Sequence, residues 1–169
     1  MRKNPIPLLM CGVVVSCGLP SLLVQAQQLV SNAQVAAMVE ALRQAAPQTG
    51  IENDGLYSQW QIKPETLKAW SKYCLKRELT PTQFENSPVT ARFVVSCITR
   101  RELNNQFRTT SNNETKAVHG VACWWMTGNY TGCDRGFSAA YVQKVLGFYQ
   151  QQRSIPAASP PASPTGSPP

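Results

Sequence analysis

Apolar residues recur at helical spacing through most of the chain, in blocks separated by proline, glycine or polar pairs. Ser31-Asn32-Ala33-Gln34 has the spacing of a capping box, and Val35, Val39 and Leu42 then share one helical face. Pro47 ends that block. Residues 48–63 lose the helical period, and Asp54-Gly55 marks a turn, so a loop or short hairpin is expected there. Pro64 suits a first helical position and is followed by Leu67, Trp70 and Cys74 on one face. Thr80-Pro81 and Ser87-Pro88 each read as a cap with a first-turn proline. The second opens a long helix carrying Phe93, Val94, Cys97, Ile98 and Phe107. Asn112 or Asn113 starts another helix through Ala117, Val118, Val121 and Trp125, with Gly128 as its stop. A last helix, from about Ser138, turns Tyr141, Val142, Val145, Leu146 and Tyr149 inward. No repeat and no strand–helix alternation interrupts this order. The expected fold is a small, mainly α-helical domain over residues 27–152.

The two ends differ from this domain. Arg2 and Lys3 precede an apolar run from Ile6 to Val24 that closes on Val24-Gln25-Ala26, the parts of a secretory signal over residues 1–26. Pro7, Gly12, Gly18 and Pro20 break the run, which argues against a spanning helix. Val14-Val15-Ser16-Cys17 has the form of a lipobox, and membrane contact is expected only if Cys17 is lipidated. Leu19 to Val24 stay mostly apolar beyond that cysteine, which favours cleavage after Ala26 and export to the periplasm or outside. Residues 153–169 are the opposite case. From Ser154 onward they are Ser, Pro, Ala, Thr and Gly with a single Ile, too little apolar surface to offset chain entropy. A disordered tail is expected.

Export changes the meaning of the cysteines. Cleavage removes Cys11 and Cys17 and leaves Cys74, Cys97, Cys123 and Cys133, an even set that reads as two disulfides with three pairings open. Short spacing favours Cys74–Cys97 and Cys123–Cys133. A metal site built from His119, Cys123 and Cys133 lacks a fourth ligand, so no metal and no other cofactor is expected. Taking Arg2 and Lys3 from the sixteen basic residues leaves fourteen against nine acids, a mature net charge of +5. That balance favours an anionic surface such as a wall polymer. The basic residues are spread along the chain rather than gathered in a stripe, and no nucleic acid is expected. The expected state is a monomer.

No nucleophile triad or phosphate-cradling glycine loop is present, so carboxylates and aromatics carry the candidate chemistry. Tyr57, Trp60, Trp70, Trp124, Trp125, Tyr130 and Tyr141 offer flat apolar faces that either build a core or stack on sugar rings. The loop context of Tyr57 and Trp60 favours exposure for those two.

The order of these pieces resembles the lysozyme-like fold of soluble lytic transglycosylases. That family places a glutamate on its first helix, Gly-Leu-Met-Gln about fifteen residues later, then Ile-x-Pro. Here Glu40 precedes Gly55 by fifteen positions, and Gly55-Leu56-Tyr57-Ser58-Gln59-Trp60-Gln61-Ile62-Lys63-Pro64 is similar with about three residues inserted. The family's Ala-Ala-Tyr-Asn-Ala-Gly segment is echoed from Ala122 to Gly128, and its closing tyrosine-containing helix from Ser138 to Tyr149. The resemblance implies a peptidoglycan-directed protein in which Glu40 acts as acid and then base, forming a 1,6-anhydro product. It implies substrate contacts from Tyr57, Gln59, Trp60, Gln61 and Tyr141, with Trp125 at the family's tyrosine position. A hydrolytic variant would draw a second acid from Glu52 or Asp54. The family's serine after the glutamate is Ala41 here, and the helical wheel sets Glu40 beside Ala33, Ala36 and Ala37. The alternatives are a non-catalytic module holding wall glycan or a wall-associated protein, and a disulfide-stabilised structural or inhibitor domain.

Overall fold

The structure, a computed structural model, describes residues 29–47, 49 and 54–155. The signal at 1–26, Cys17, Glu52 and the tail beyond Ile155 lie outside the described residues. Local signals set the helix ends. Helix α1 (Asn32–Ala45) starts with the full capping box: the Gln34 amide N–H donates to Ser31 Oγ, and Ser31 N–H donates to Gln34 Oε1. Helix α2 (Pro64–Leu75) opens on its proline and stops at Lys76 in the left-handed conformation. A second capping box, Thr80 with Gln83, opens the short α3 (Pro81–Glu85). Helix α4 (Pro88–Thr109) follows, but Ser87 does not cap it; its hydroxyl bonds to Thr90 Oγ1 instead. Asn113 caps α5 (Glu114–Thr127), and Gly128 ends it at φ 80° with its N–H on the Trp124 carbonyl. Helix α6 (Gly136–Ser154) begins two residues before Ser138.

The 22-residue α4 spans roughly 33 Å at the usual helical rise and packs against α1, α2, α3 and α5. Helix α6 closes the other side against α1 and α5. Met38 and Leu42 of α1, Leu67 of α2, Phe84 of α3, Val94 and Leu103 of α4, Val121 of α5 and Val142 of α6 are fully buried between them. Phe93 lies on the long helix as expected but is 56% exposed. Val94, Ile98 and Phe107 of the same set turn inward, toward the helices packed around α4. Gly120 lets α5 come close to α4: a Cβ there would meet Gln106 Oε1 at 2.3 Å. Glu114 at the start of α5 then accepts from Gln34 of α1 and from Tyr149 and Arg153 of α6, tying three helices at one end.

Both short-spaced disulfides are formed, Cys74–Cys97 between α2 and α4 and Cys123–Cys133 across the turn after α5. They fit an oxidising compartment. Among the described residues no helix is long and apolar enough to cross a membrane. Closing the 23-residue separation between Cys74 and Cys97 restricts the unfolded chain. Replacing both cysteines by serine is expected to lower unfolding free energy by about 3 kcal/mol while leaving helical circular dichroism intact. Urea titration of oxidised wild type against the double variant checks this.

Candidate functional site

After α1 the chain turns back through a hairpin of minimal length. Tyr57 and Ile62 exchange two backbone hydrogen bonds of 2.9 Å, and Ser58 and Gln61 between them adopt positive φ. The Glu85 carboxylate accepts from Ser58 N–H and ties the hairpin to α3. Trp60, expected to be exposed in this loop, is buried: its indole N–H donates to the Val39 carbonyl of α1 at 2.9 Å. A flat ring with one donor can cap a helix face only if that donor finds an acceptor, and Val39 supplies it. This anchor fixes the hairpin against the core.

The hairpin forms one wall of a groove of ≈ 770 Å³. Leu56, Trp60, Gln61 and Ile62 line that side, continued by Glu65 and Thr66 in the first turn of α2 and Trp70 midway along it. Trp124, Trp125 and Met126 from the last turn of α5 form the facing wall, and Tyr141 of α6 also lines the groove. Trp70 stands 6.0 Å from Trp124 and 5.0 Å from Trp125, centroid to centroid. Two adjacent residues on a helix diverge by about 100°, so Trp124 and Trp125 cannot share one direction. They meet edge to face at 6.5 Å, with Trp70 touching both.

The outer side of this wall rests on a buried charge. Tyr130 stacks on Trp124 at 6.2 Å, and its hydroxyl donates to Glu102, only 3% exposed on α4. Arg101 also pairs with Glu102 and lies over both the Trp124 and Tyr73 rings. Burial first, and the bond to Glu102 second, push the Tyr130 phenol above its ordinary value, so it stays a donor. The Cys123–Cys133 bond closes the turn that delivers Tyr130.

Of the expected contact residues, Trp60, Gln61, Trp125 and Tyr141 line the groove together. Tyr57 is half-buried in the bridge and Gln59 points to solvent, and neither lines it. Gln61 is partly spent on its own turn, its amide donating to the Ser58 carbonyl. Trp70 and Trp124, named only among the aromatic faces that either build a core or stack on sugars, also line it, and Met126 and Glu65 were not expected there. A signal for the tryptophans was present, since a Trp-Trp pair one turn before a helix-ending glycine cannot be buried whole. Tyr141 is 4% exposed, and its hydroxyl has no partner among the described residues. Such an orphan costs about 1–3 kcal/mol of desolvation.

Glu40 is placed elsewhere. It lines a separate pocket with Ala33, Ala36, Ala37, Arg92 and Gln152, the neighbours its helical wheel implies. Arg43 donates to both carboxylate oxygens, Gln44 to one of them, and Arg92 approaches at 3.4 Å. The Arg43 bond above all holds its carboxyl below the ordinary value. A general acid needs the reverse, a carboxyl kept protonated by burial. Asp54 is likewise held low, by Thr49 and by the Leu56 N–H, and does not line the groove. The disulfide between Cys123 and Cys133 leaves no free thiols for a site with His119.

The Glu40 pairing has a pH signature. A depressed carboxyl adds stability that is present above its unfolded pKa and disappears as pH falls through the lower native value. Solvent screening at this half-open site limits the amount. Glu40→Gln is therefore expected to cost about 0.5–1 kcal/mol at neutral pH, with the difference shrinking to nothing in strong acid. Urea midpoints at the two pH values measure it.

Comparison of this chain with protein-family models, with curated proteins and with solved structures finds no match in any of the three.

Proposed function

We propose that this is an exported wall-directed module that holds glycan in the tryptophan groove without cutting it. The observation carrying this reading is the convergence of Trp60, Trp70, Trp124 and Trp125 on one open groove. Sugar rings present apolar C–H faces, and flat indoles braced from behind offer matching surfaces at little cost in side-chain entropy. The two disulfides and the net positive charge suit an anionic polymer outside the reducing cytosol. A transglycosylase reading with Glu40 as acid loses its support, because Glu40 is ionised by arginines in another pocket. Among the residues lining the groove, Glu65 is the one carboxylate, and it is exposed.

The test is co-sedimentation of the oxidised protein with purified peptidoglycan sacculi at moderate salt, with mass spectrometry of the soluble fraction. Retention without new glycan ends is expected. Trp125→Ala and Trp124→Ala should each weaken retention roughly fivefold or more, while Glu40→Gln leaves it unchanged. Release of 1,6-anhydro or reducing ends would overturn the non-cutting part and direct attention to Glu65. Absence of retention would favour a structural or inhibitor domain.

A further inference from the structure

We infer that the tryptophan groove is also the docking site of this chain's own proline-rich end, residues 156–169. Composition, length and the place where the segment leaves the fold carry this, and it goes beyond the glycan reading. Residues 156–169 hold six prolines among Ala, Ser, Thr and Gly, with no charged side chain. Such a composition favours the polyproline II helix, whose three residues per turn put Pro161 and Pro164 on one edge. Pyrrolidine rings pack flat on indole faces, and a chain already stiffened by proline loses little entropy on docking. Trp70, Trp124 and Trp125 line the groove and are all partly exposed. The charged groups of the groove, Lys63 and Glu65, are exposed, so a neutral segment enters without stripping water from a charge.

Helices α5 and α6 give the segment a route. They run antiparallel: Arg153 near the end of α6 bonds to Glu114 at the start of α5, while Trp125 and Tyr141 reach the groove at the opposite end. Ser154, the last residue of α6, lines a second depression of ≈ 470 Å³ with Thr115, Val118 and Leu146. Thr115, Val118, Ala122 and Trp125 follow one another at three- and four-residue steps and so share one face of α5. The face that meets the chain where it leaves α6 therefore leads to the groove. From Ser154 back to the level of Tyr141 is about 20 Å of helix. Fourteen residues of polyproline II reach about 43 Å, so half of the segment covers the return and the rest spans the groove. Glycan and tail then compete for the same indoles.

The test compares the oxidised mature chain with a variant combining Pro160→Ser, Pro161→Ser, Pro164→Ser, Pro168→Ser and Pro169→Ser, which keeps length and charge. Indole N–H signals in proton–nitrogen correlation spectra are expected to differ between the two for Trp70, Trp124 and Trp125. Trp60, whose N–H is bonded to Val39, should differ least. The differences should persist on dilution, as docking within one molecule requires. The variant is also expected to bind sacculi roughly threefold to tenfold more tightly, a gain that Trp125→Ala removes. Coincident indole signals in the two chains overturn the inference, and if sacculi are still retained the glycan reading stands without it. Differences that vanish on dilution overturn docking within one molecule and put a neighbour's tail in the groove. Indole differences with equal retention or none support the docking and overturn the glycan's place in the groove.

Discussion

A carboxylate inside the protein must be matched by donors, and the way Glu102 is matched shapes the groove. Glu102 sits on the side of the central helix where α5 ends, nearly out of contact with water. Removing it from solvent without partners would cost several kcal/mol. Its partners are Arg101, one residue before it, and Tyr130, delivered by the disulfide-closed turn after α5. Once these are in place their flat faces have fixed positions, and Trp124 lies against both. This wall of the groove is thus set by an electrostatic demand behind it.

The opposite wall follows from a hydrogen bond. Trp60 reaches the Val39 carbonyl, and that single contact holds a hairpin of six residues against α1. Val39 and Glu40 are neighbours on this helix, yet successive helical residues point about 100° apart. Whatever packs on Val39 is therefore turned away from Glu40. The carboxylate faces Arg43, Gln44 and Arg92 across an alanine surface, and those donors keep it charged. The same helix serves the groove with its backbone and a separate ion pair with its side chain.

Polar groups are satisfied differently at the two ends of the molecule. The end held by Glu114 satisfies its polar groups internally, with donors from Gln34, Tyr149 and Arg153. The groove end leaves the Tyr141 hydroxyl without a partner among the described residues and the indoles of Trp70, Trp124 and Trp125 partly exposed.

By itself the sequence indicated the helices, most of their boundaries and, through short spacing, which pairing of the cysteines is favoured. Those properties are local: caps such as Ser31 and Thr80 bond three residues away, Gly128 accepts positive φ, and each disulfide joins nearby segments. It also set the alanine neighbours of Glu40, since a wheel needs only the 3.6-residue period. The groove was only half legible. Trp60, Gln61, Trp125 and Tyr141 were named from the chain as contacts, Trp70 and Trp124 only as aromatic faces, and all of them with Glu65 come together through contacts between segments distant in sequence. Whether Trp60 was exposed depended on an acceptor twenty-one residues back, and the pocket around Glu40, whose main partner Arg43 is local, is completed by Arg92, fifty-two residues ahead. Only the tertiary structure decides such matters, because burial and charge pairing belong to the assembled helices and to no single segment.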